Sequence, residues 1–248
     1  MPVTAVMQVA PSDASAELRA ERWTGIGDDH HTYVDLVGNR CERLTIPAGP
    51  SRIVYEADVT LASPADRILP GTPETPIMEM PDEYIGFLMP SRFCLPDELG
   101  HEAWTRFGNL EPGWERVQAI VDFVHNHLEW VAGASNPWTT AADAFRAGQG
   151  VCRDFAHLAI TFCRALNIPA RYTCGYIPLI DAPPPVEPMD FAAWFEVWLD
   201  GEWHTFDARN NTPRTGRVVV GRGRDAVDVA VLTSFGPVDL TWFEVKAE

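Results

Sequence analysis

One cysteine in this chain stands where a nucleophile would stand. Gly148-Gln149-Gly150-Val151 delivers Cys152 to the start of a segment whose apolar residues recur at Phe155, Leu158, Ala159, Phe162, Cys163 and Leu166. Steps of three and four are helical periodicity. The helix must stop before Pro169, because proline disfavours helical geometry in the residue ahead of it. A thiol in a first helical turn lies among unpaired N–H groups and at the positive end of the helix dipole, and both favour thiolate over thiol. The same N–H groups can hold a developing oxyanion. Cys163, on the apolar face of this helix, reads instead as a small buried residue.

A thiol nucleophile works with a base that a third group orients. Asp200-Gly201 is a two-residue hairpin turn signal, so Leu199 faces Glu202 and Asp207 lies opposite Trp194. Positions 192, 194 and 196 then share a sheet face with Asp207, and position 192 is its diagonal neighbour. A histidine at 192 would complete a Cys-His-Asp set, but the residue there is Ala192. Three substitutes present themselves. His204 is on the partner strand, but its odd spacing from Asp207 sends it to the opposite face unless a bulge intervenes. His157 is rotated about 500° from Cys152 around the helix and points away. Asp190 has the right face, but its ordinary pKa (~3.9 against ~8.5 for a thiol) is wrong for the task. His204 is the least unfavourable of the three. Asp154 and His157 read as braces for the helix start, and Trp194, Trp198 and Trp203 as sheet packing.

The elements that position these residues follow from pattern. Residues 1–62 are β-rich, with strands expected at Thr4 to Val9, His30 to Val37, Arg43 to Ile46 and Ile53 to Leu61, separated by Gly38-Asn39 and Pro47-Ala48-Gly49-Pro50 turns. His30 and His31 are adjacent on a strand, point to opposite faces and make no shared metal site. Residues 63–90 hold a proline-rich linker draped over the surface. Asp97 to Phe107 and Gly113 to Leu128 read as helices, the second with a stripe of Trp114, Val117, Ile120, Val121, Val124 and Leu128. His125 and His127 sit where cations suit a helix C-terminus. Past the Cys152 helix come strands at Ala170 to Ile177, Phe191 to Leu199 and Glu202 to Ala208. A stiff loop of five prolines spans Pro178 to Pro188, strand-type patterns continue at Val218 to Val220 and Val227 to Leu232, and the chain closes with Leu240 to Val245.

Composition bounds the rest. At 248 residues and 46% hydrophobic composition the chain can bury a large core. A formal charge of −16 without a basic run argues against a nucleic-acid surface. Five scattered cysteines make neither a disulfide framework nor a zinc site. The N-terminus has no signal-peptide pattern, and no apolar run of about 18 residues spans a membrane. A reduced, cytoplasmic protein is the expectation.

Gly150 through His157, Asn167-Ile168-Pro169-Ala170-Arg171-Tyr172, Gly175-Tyr176, Ala193-Trp194-Phe195-Glu196-Val197 and Phe206-Asp207-Ala208-Arg209 occur in order. Together they resemble the transglutaminase-like superfamily of bacterial cysteine-protease-type proteins. Gly38-Asn39-Arg40-Cys41 and Pro47-Ala48-Gly49 resemble that family's N-terminal β region, so the resemblance covers almost the whole chain. It implies that a leading strand is absent. The implied fold is α+β: a papain-like core, with a Cys-bearing helix packed on an antiparallel sheet, at 91–248, after the linker at 63–90 and a smaller β-rich N-terminal domain at 1–62. The implied site is Cys152 as nucleophile and Asp207 as orienting carboxylate, with the family's histidine position taken by Ala192. A natural branch, an inactive descendant and an engineered substitution would each account for that alanine. The implied chemistry is acyl transfer or hydrolysis through a Cys152 thioester on a peptide, a protein or a small amide or ester, with no metal or organic cofactor. The alternative is an inactive relative that binds a peptide or protein partner in the retained cleft.

Overall fold

The alternating pattern near the N-terminus forms five strands: β1 (Val3–Met7), β2 (Ala16–Thr24), β3 (His31–Val34), β4 (Arg40–Ile46) and β5 (Val54–Leu61). The computed structural model describes residues 1–12, 16–61, 65–180 and 189–248, so the prolines at 183, 184, 185 and 188 expected in a stiff loop lie outside the described residues. Strands β2 and β5 pair with each other, whereas β1, β4 and β3 belong to a separate antiparallel sheet. The linker contributes two short 3-10 helices, Ile77–Glu79 and Asp82–Leu88. They lay Tyr84 against Trp198 and Trp203, and Phe87 against Trp203.

The rest of the chain adds α1 (Pro96–Phe107), α2 (Trp114–His127), β6 (Glu129–Trp130), α3 (Ala141–Ala147), β7 (Gln149–Gly150), α4 (Cys152–Ala165), β8 (Ala170–Tyr176), β9 (Ala192–Leu199), β10 (Glu202–Phe206), β11 (Val218–Gly223) and β12 (Leu232–Ser234). The main sheet is antiparallel in the order β10-β9-β8-β11. Helix α4 packs on β8 and β9 with one side and on α1, α2 and α3 with the other. The fold is therefore α+β, with a Cys-bearing helix on an antiparallel sheet and a β-rich N-terminal region.

Enclosure on both sides explains why α4 is buried all round from Asp154 to Arg164, not along one stripe. Its polar residues are paid for individually. The Arg164 guanidinium donates to the carbonyls of Ala170, Met89 and Arg224 and to Ser91 Oγ. The His157 ring lies between Phe93 and Tyr172, with Nε2 accepting from Ala226 N–H at 3.1 Å. Burial first, then the charges of Arg153 and Arg164, hold His157 well below the usual histidine range, so it is neutral. Alternation along β9 sorts the sheet's faces. Ala193, Phe195, Val197 and Leu199 join the core cluster with α4, while Glu196 on the other face is gripped by Arg171 and Arg222.

One expected strand near the C-terminus is largely absent. Val227 to Leu232 is not a strand over most of its length. Asp225 accepts from Val227 N–H through its side chain and from Asp228 N–H through its carbonyl, and such a local turn competes with strand pairing. Only β12 follows, and it pairs with β1, so the N-terminal sheet draws a strand from beyond residue 91. The closing Leu240 to Val245 packs as irregular chain: Phe243 stacks on Phe191 and Val245 is buried.

The N-terminal sheet is held to the core at the edge strand β11. Asn39, 2% exposed, uses its side chain as a strand would: Nδ2 donates to Arg222 O and Oδ1 accepts from Arg222 N–H, both at 2.7 Å. Asn39→Ala removes both bonds at a buried site. It is expected to lower stability by about 1–3 kcal/mol, read from urea unfolding. An unchanged midpoint would show that this side chain does not hold the two regions together.

Candidate active site

Cys152 is placed by its neighbours before it is placed by its helix. Gly148 ends α3 in the left-handed region at φ 67°, which glycine adopts without strain. Glu129 N–H then donates to Gly148 O (2.9 Å) and Val131 N–H to Gly150 O (3.1 Å), tying the segment ahead of the cysteine to the end of α2. A Cβ on Gly150 would stand 2.7 Å from Asp154 Cβ, so only glycine fits there. Asp154 Oδ2 accepts from Val151 N–H at 2.8 Å and braces the first turn, as its sequence position suggested. Cys152 opens α4, and its Sγ donates to Phe191 O at 3.8 Å, immediately ahead of Ala192. The sulfur thus meets the first residues of β9.

The hairpin has the expected register. Phe206 pairs with Phe195, which continues to Asp207 opposite Trp194, with Ala192 two residues further along the same face. Asp200 and Gly201 both have positive φ, at 46° and 80°. Asp207 is buried and fully engaged. Oδ1 accepts from the N–H groups of Arg209 (3.0 Å) and Asn210 (2.9 Å); Oδ2 accepts from Asn210 Nδ2 (2.7 Å) and from Arg217 (2.9 Å). Arg217 also pairs with Asp66 and lies over the Trp194 ring at 4.9 Å. The turn following Asp207 was legible, since an aspartate commonly binds backbone two and three residues on. Arg217 and Asp66 were not, because no spacing rule links position 207 to 217 and to a linker residue.

The thiol departs from the helix-terminus expectation. Burial pushes the Cys152 thiol up. The Arg209 guanidinium and the hydrogen-bonded N–H groups of Ala193 and Arg153 pull the other way, and the Asp190 carboxylate adds to the upward push. A dipole contribution of up to about 2 kcal/mol does not outweigh desolvation at a site shared with Tyr172 and Cys174. Cys174 itself is pushed up to about 12 by burial.

The substitute bases fare as follows. His204 pairs with Val197, five residues along β9 from Ala192, or about 17 Å at the rise of a strand. It is buried edge-on to Trp114, with Nε2 against Leu199 O at 3.1 Å, and the structure does not bring it to the sulfur. His157 is the core histidine described above. Asp190 is exposed, accepts from Phe191 N–H and acts on the thiol as a repelling charge.

A cavity of about 280 Å³, reached one turn along α4 from Cys152 at Phe155, is lined by His125, Leu128, Trp130, Phe155, Arg209 and Asn210. His125 Nδ1 faces the carbonyls of Ala208 and Arg209 at 3.2 and 3.0 Å, a role the helix-terminus reading of this residue did not contain. Among the described residues no group of three or more His, Cys, Asp or Glu is arranged to hold a metal ion, and no helix is long and apolar enough to cross a membrane.

The model of a family described as the transglutaminase-like superfamily matches residues 104–208, from α1 to just past Asp207. The crystal structure of a "putative cysteine protease" from Cytophaga hutchinsonii is 30% identical in sequence, with a TM-score of 0.83 over 100% of this chain and 89% of that one. An uncharacterized protein of Mycobacterium leprae is 36% identical over 128 residues, covering 50% of this chain and 45% of the relative. One from Mycobacterium tuberculosis H37Rv is 33% identical over 148 residues, covering 56% and 47%. The chain spans about half the length of the curated relatives it matches. The near-complete overlap with the Cytophaga structure, together with the family model across the Cys152 helix and the Asp207 hairpin, establishes that this chain belongs to the transglutaminase-like superfamily.

Proposed function

We propose that the protein is a cysteine-dependent acyl-transfer enzyme of transglutaminase-like type that works slowly because its base is missing. The observation that carries this reading is the placement of Cys152 Sγ against the residue preceding Ala192, on a strand whose hairpin partner leads into Asp207. In the proposed reaction Sγ bonds to the carbonyl carbon of an amide or ester. The C–N or C–O bond breaks, the thiol proton ends on the departing amine or alcohol, and water or an amine then takes the acyl group and returns the thiol. The donor is a peptide, a protein or a small amide or ester. Free cysteines throughout fit a reducing cytoplasm.

A general base contributes on the order of 10²–10⁴ in rate, and a thiol above its ordinary pKa of ~8.5 leaves only a few per cent of thiolate or less at neutral pH. The N-terminal amides of α4 and the retained cleft remain as sources of rate enhancement. A second reading has its own support: both oxygens of Asp207 are already occupied, which suits an inactive relative that binds a peptide or protein partner.

Two measurements bear on these readings. In the folded protein iodoacetamide is expected to modify Cys152 alone, because Cys41, Cys94, Cys163 and Cys174 are buried. Since the thiol is shifted up, its rate should climb about tenfold per pH unit from pH 6 to 8 without a plateau; a plateau below pH 7 would mean an activated thiolate. Ala192→His is expected to raise hydrolysis of a nitrophenyl ester or peptide anilide by about 10²-fold or more, with the gain abolished by adding Cys152→Ala. Failure of Ala192→His to raise turnover of either substrate would favour the binding reading.

A further inference from the structure

The cavity that Phe155 and Arg209 line has a chemical character of its own. Leu128, Trp130 and Phe155 give it apolar walls, and His125, Arg209 and Asn210 give it a polar side. Phe155 lies three residues after Cys152 on α4, hence on the same side of the helix, and the Arg209 charge is felt at the sulfur. At about 280 Å³ the space suits one side-chain-sized group better than a length of peptide.

Arg209 is the informative residue. Other arginines around the sheet are committed to carboxylates: Arg171 and Arg222 to Glu196, Arg217 to Asp66 and Asp207, Arg116 to Glu74. Among the described residues Arg209 pairs with no carboxylate; its guanidinium lies over the Trp130 ring at 4.9 Å. A guanidinium over a ring and without a carboxylate partner has N–H groups to offer a bidentate acceptor. Its backbone is fixed as well. His125 Nδ1 faces two carbonyls, so it must be the protonated nitrogen, and it anchors the peptide at Ala208 and Arg209. In a chain of net charge −16, a fixed cation without a carboxylate partner inside a cavity is a focus for anions. The opposing charges are Asp190, which is exposed and acts on the thiol, and Asp207, which shares Arg217 with Asp66.

We infer that this cavity is the acyl-donor subsite and that it selects a donor bearing a carboxylate on a short apolar stem, with Arg209 as the recognising cation; this rests on the reading of Cys152 as the nucleophile. Such a donor is an acidic acyl group, for example a peptide carrying an acidic side chain beside the bond attacked.

Iodoacetate and iodoacetamide test this directly, since they alkylate the same thiol and differ in a carboxylate against a neutral amide. In both reactions the S–C bond forms, iodide leaves and the thiol proton goes to buffer. A change in thiol pKa affects both equally and cancels in the ratio of their rates. The iodoacetate-to-iodoacetamide ratio at Cys152 is expected to exceed that of the urea-unfolded protein by about tenfold, the size of one charge-assisted contact. Arg209→Gln should abolish the excess and Arg209→Lys should restore part of it. Labelling by both reagents with a ratio that is the same in the native protein and in Arg209→Gln overturns the inference alone. No labelling of Cys152 by either reagent sinks the nucleophile reading and the inference together.

Discussion

The tip of α4 rests on the start of β9, and the rest of the site is arranged around that contact. Cys152 Sγ meets Phe191 O at 3.8 Å because two separate constraints agree. One is the short parallel pairing of β6 with β7, which fixes the residues ahead of the helix. The other is the packing of α4 between the sheet and three helices, which fixes the helix itself. Because α4 is buried on all sides it cannot rotate or slide without breaking the Arg164 carbonyl contacts and the His157 bond to Ala226. Precision at the sulfur is inherited from the core.

Electrostatics around this fixed point explain why the thiol is pushed up. A thiol at a helix N-terminus is favoured as thiolate by local dipoles, but here burial works against charge and prevails. An imidazolium beside the sulfur would reverse that balance, and Ala192 supplies none. The carboxylate proposed to orient such a ring is engaged by other partners. Asp207 is held by the turn that follows it, by Asn210 and by Arg217, whose second carboxylate, Asp66, comes from the linker. A buried carboxylate left without a partner would cost several kcal/mol, so these contacts let the fold retain Asp207 whether or not a histidine stands nearby.

Much of this was legible in the sequence wherever a local rule sufficed. Periodicity located α4, and Asp200-Gly201 set the hairpin register that brings Asp207 opposite Trp194. Helix α3 went unread although Thr140 and Asp143 form a capping box, because a seven-residue, alanine-rich stretch gives little periodicity. Strand β2 went unread because Glu17, Arg19, Glu21 and Arg22 mark it as polar; it pairs with β5, and several of its residues are solvent-exposed. The pairing of β12 with β1, the partners of Asp207 and the direction of the thiol shift all depend on contacts between distant segments, and no spacing rule encodes those. His204 illustrates the limit from the other side: alternation alone turned it away from Asp207, and the register then placed it about 17 Å along the strand from position 192.

The central claim of the proposed reading is that an imidazole at position 192 would reach both the sulfur and the carboxylate. A crystal structure of Ala192→His tests it most directly. The expected result is a ring with one nitrogen within hydrogen-bond distance of Cys152 Sγ and the other accepted by Asp207, with Asn210 or Arg217 yielding a contact. A ring turned away from the sulfur, with every Asp207 contact unchanged, would contradict it.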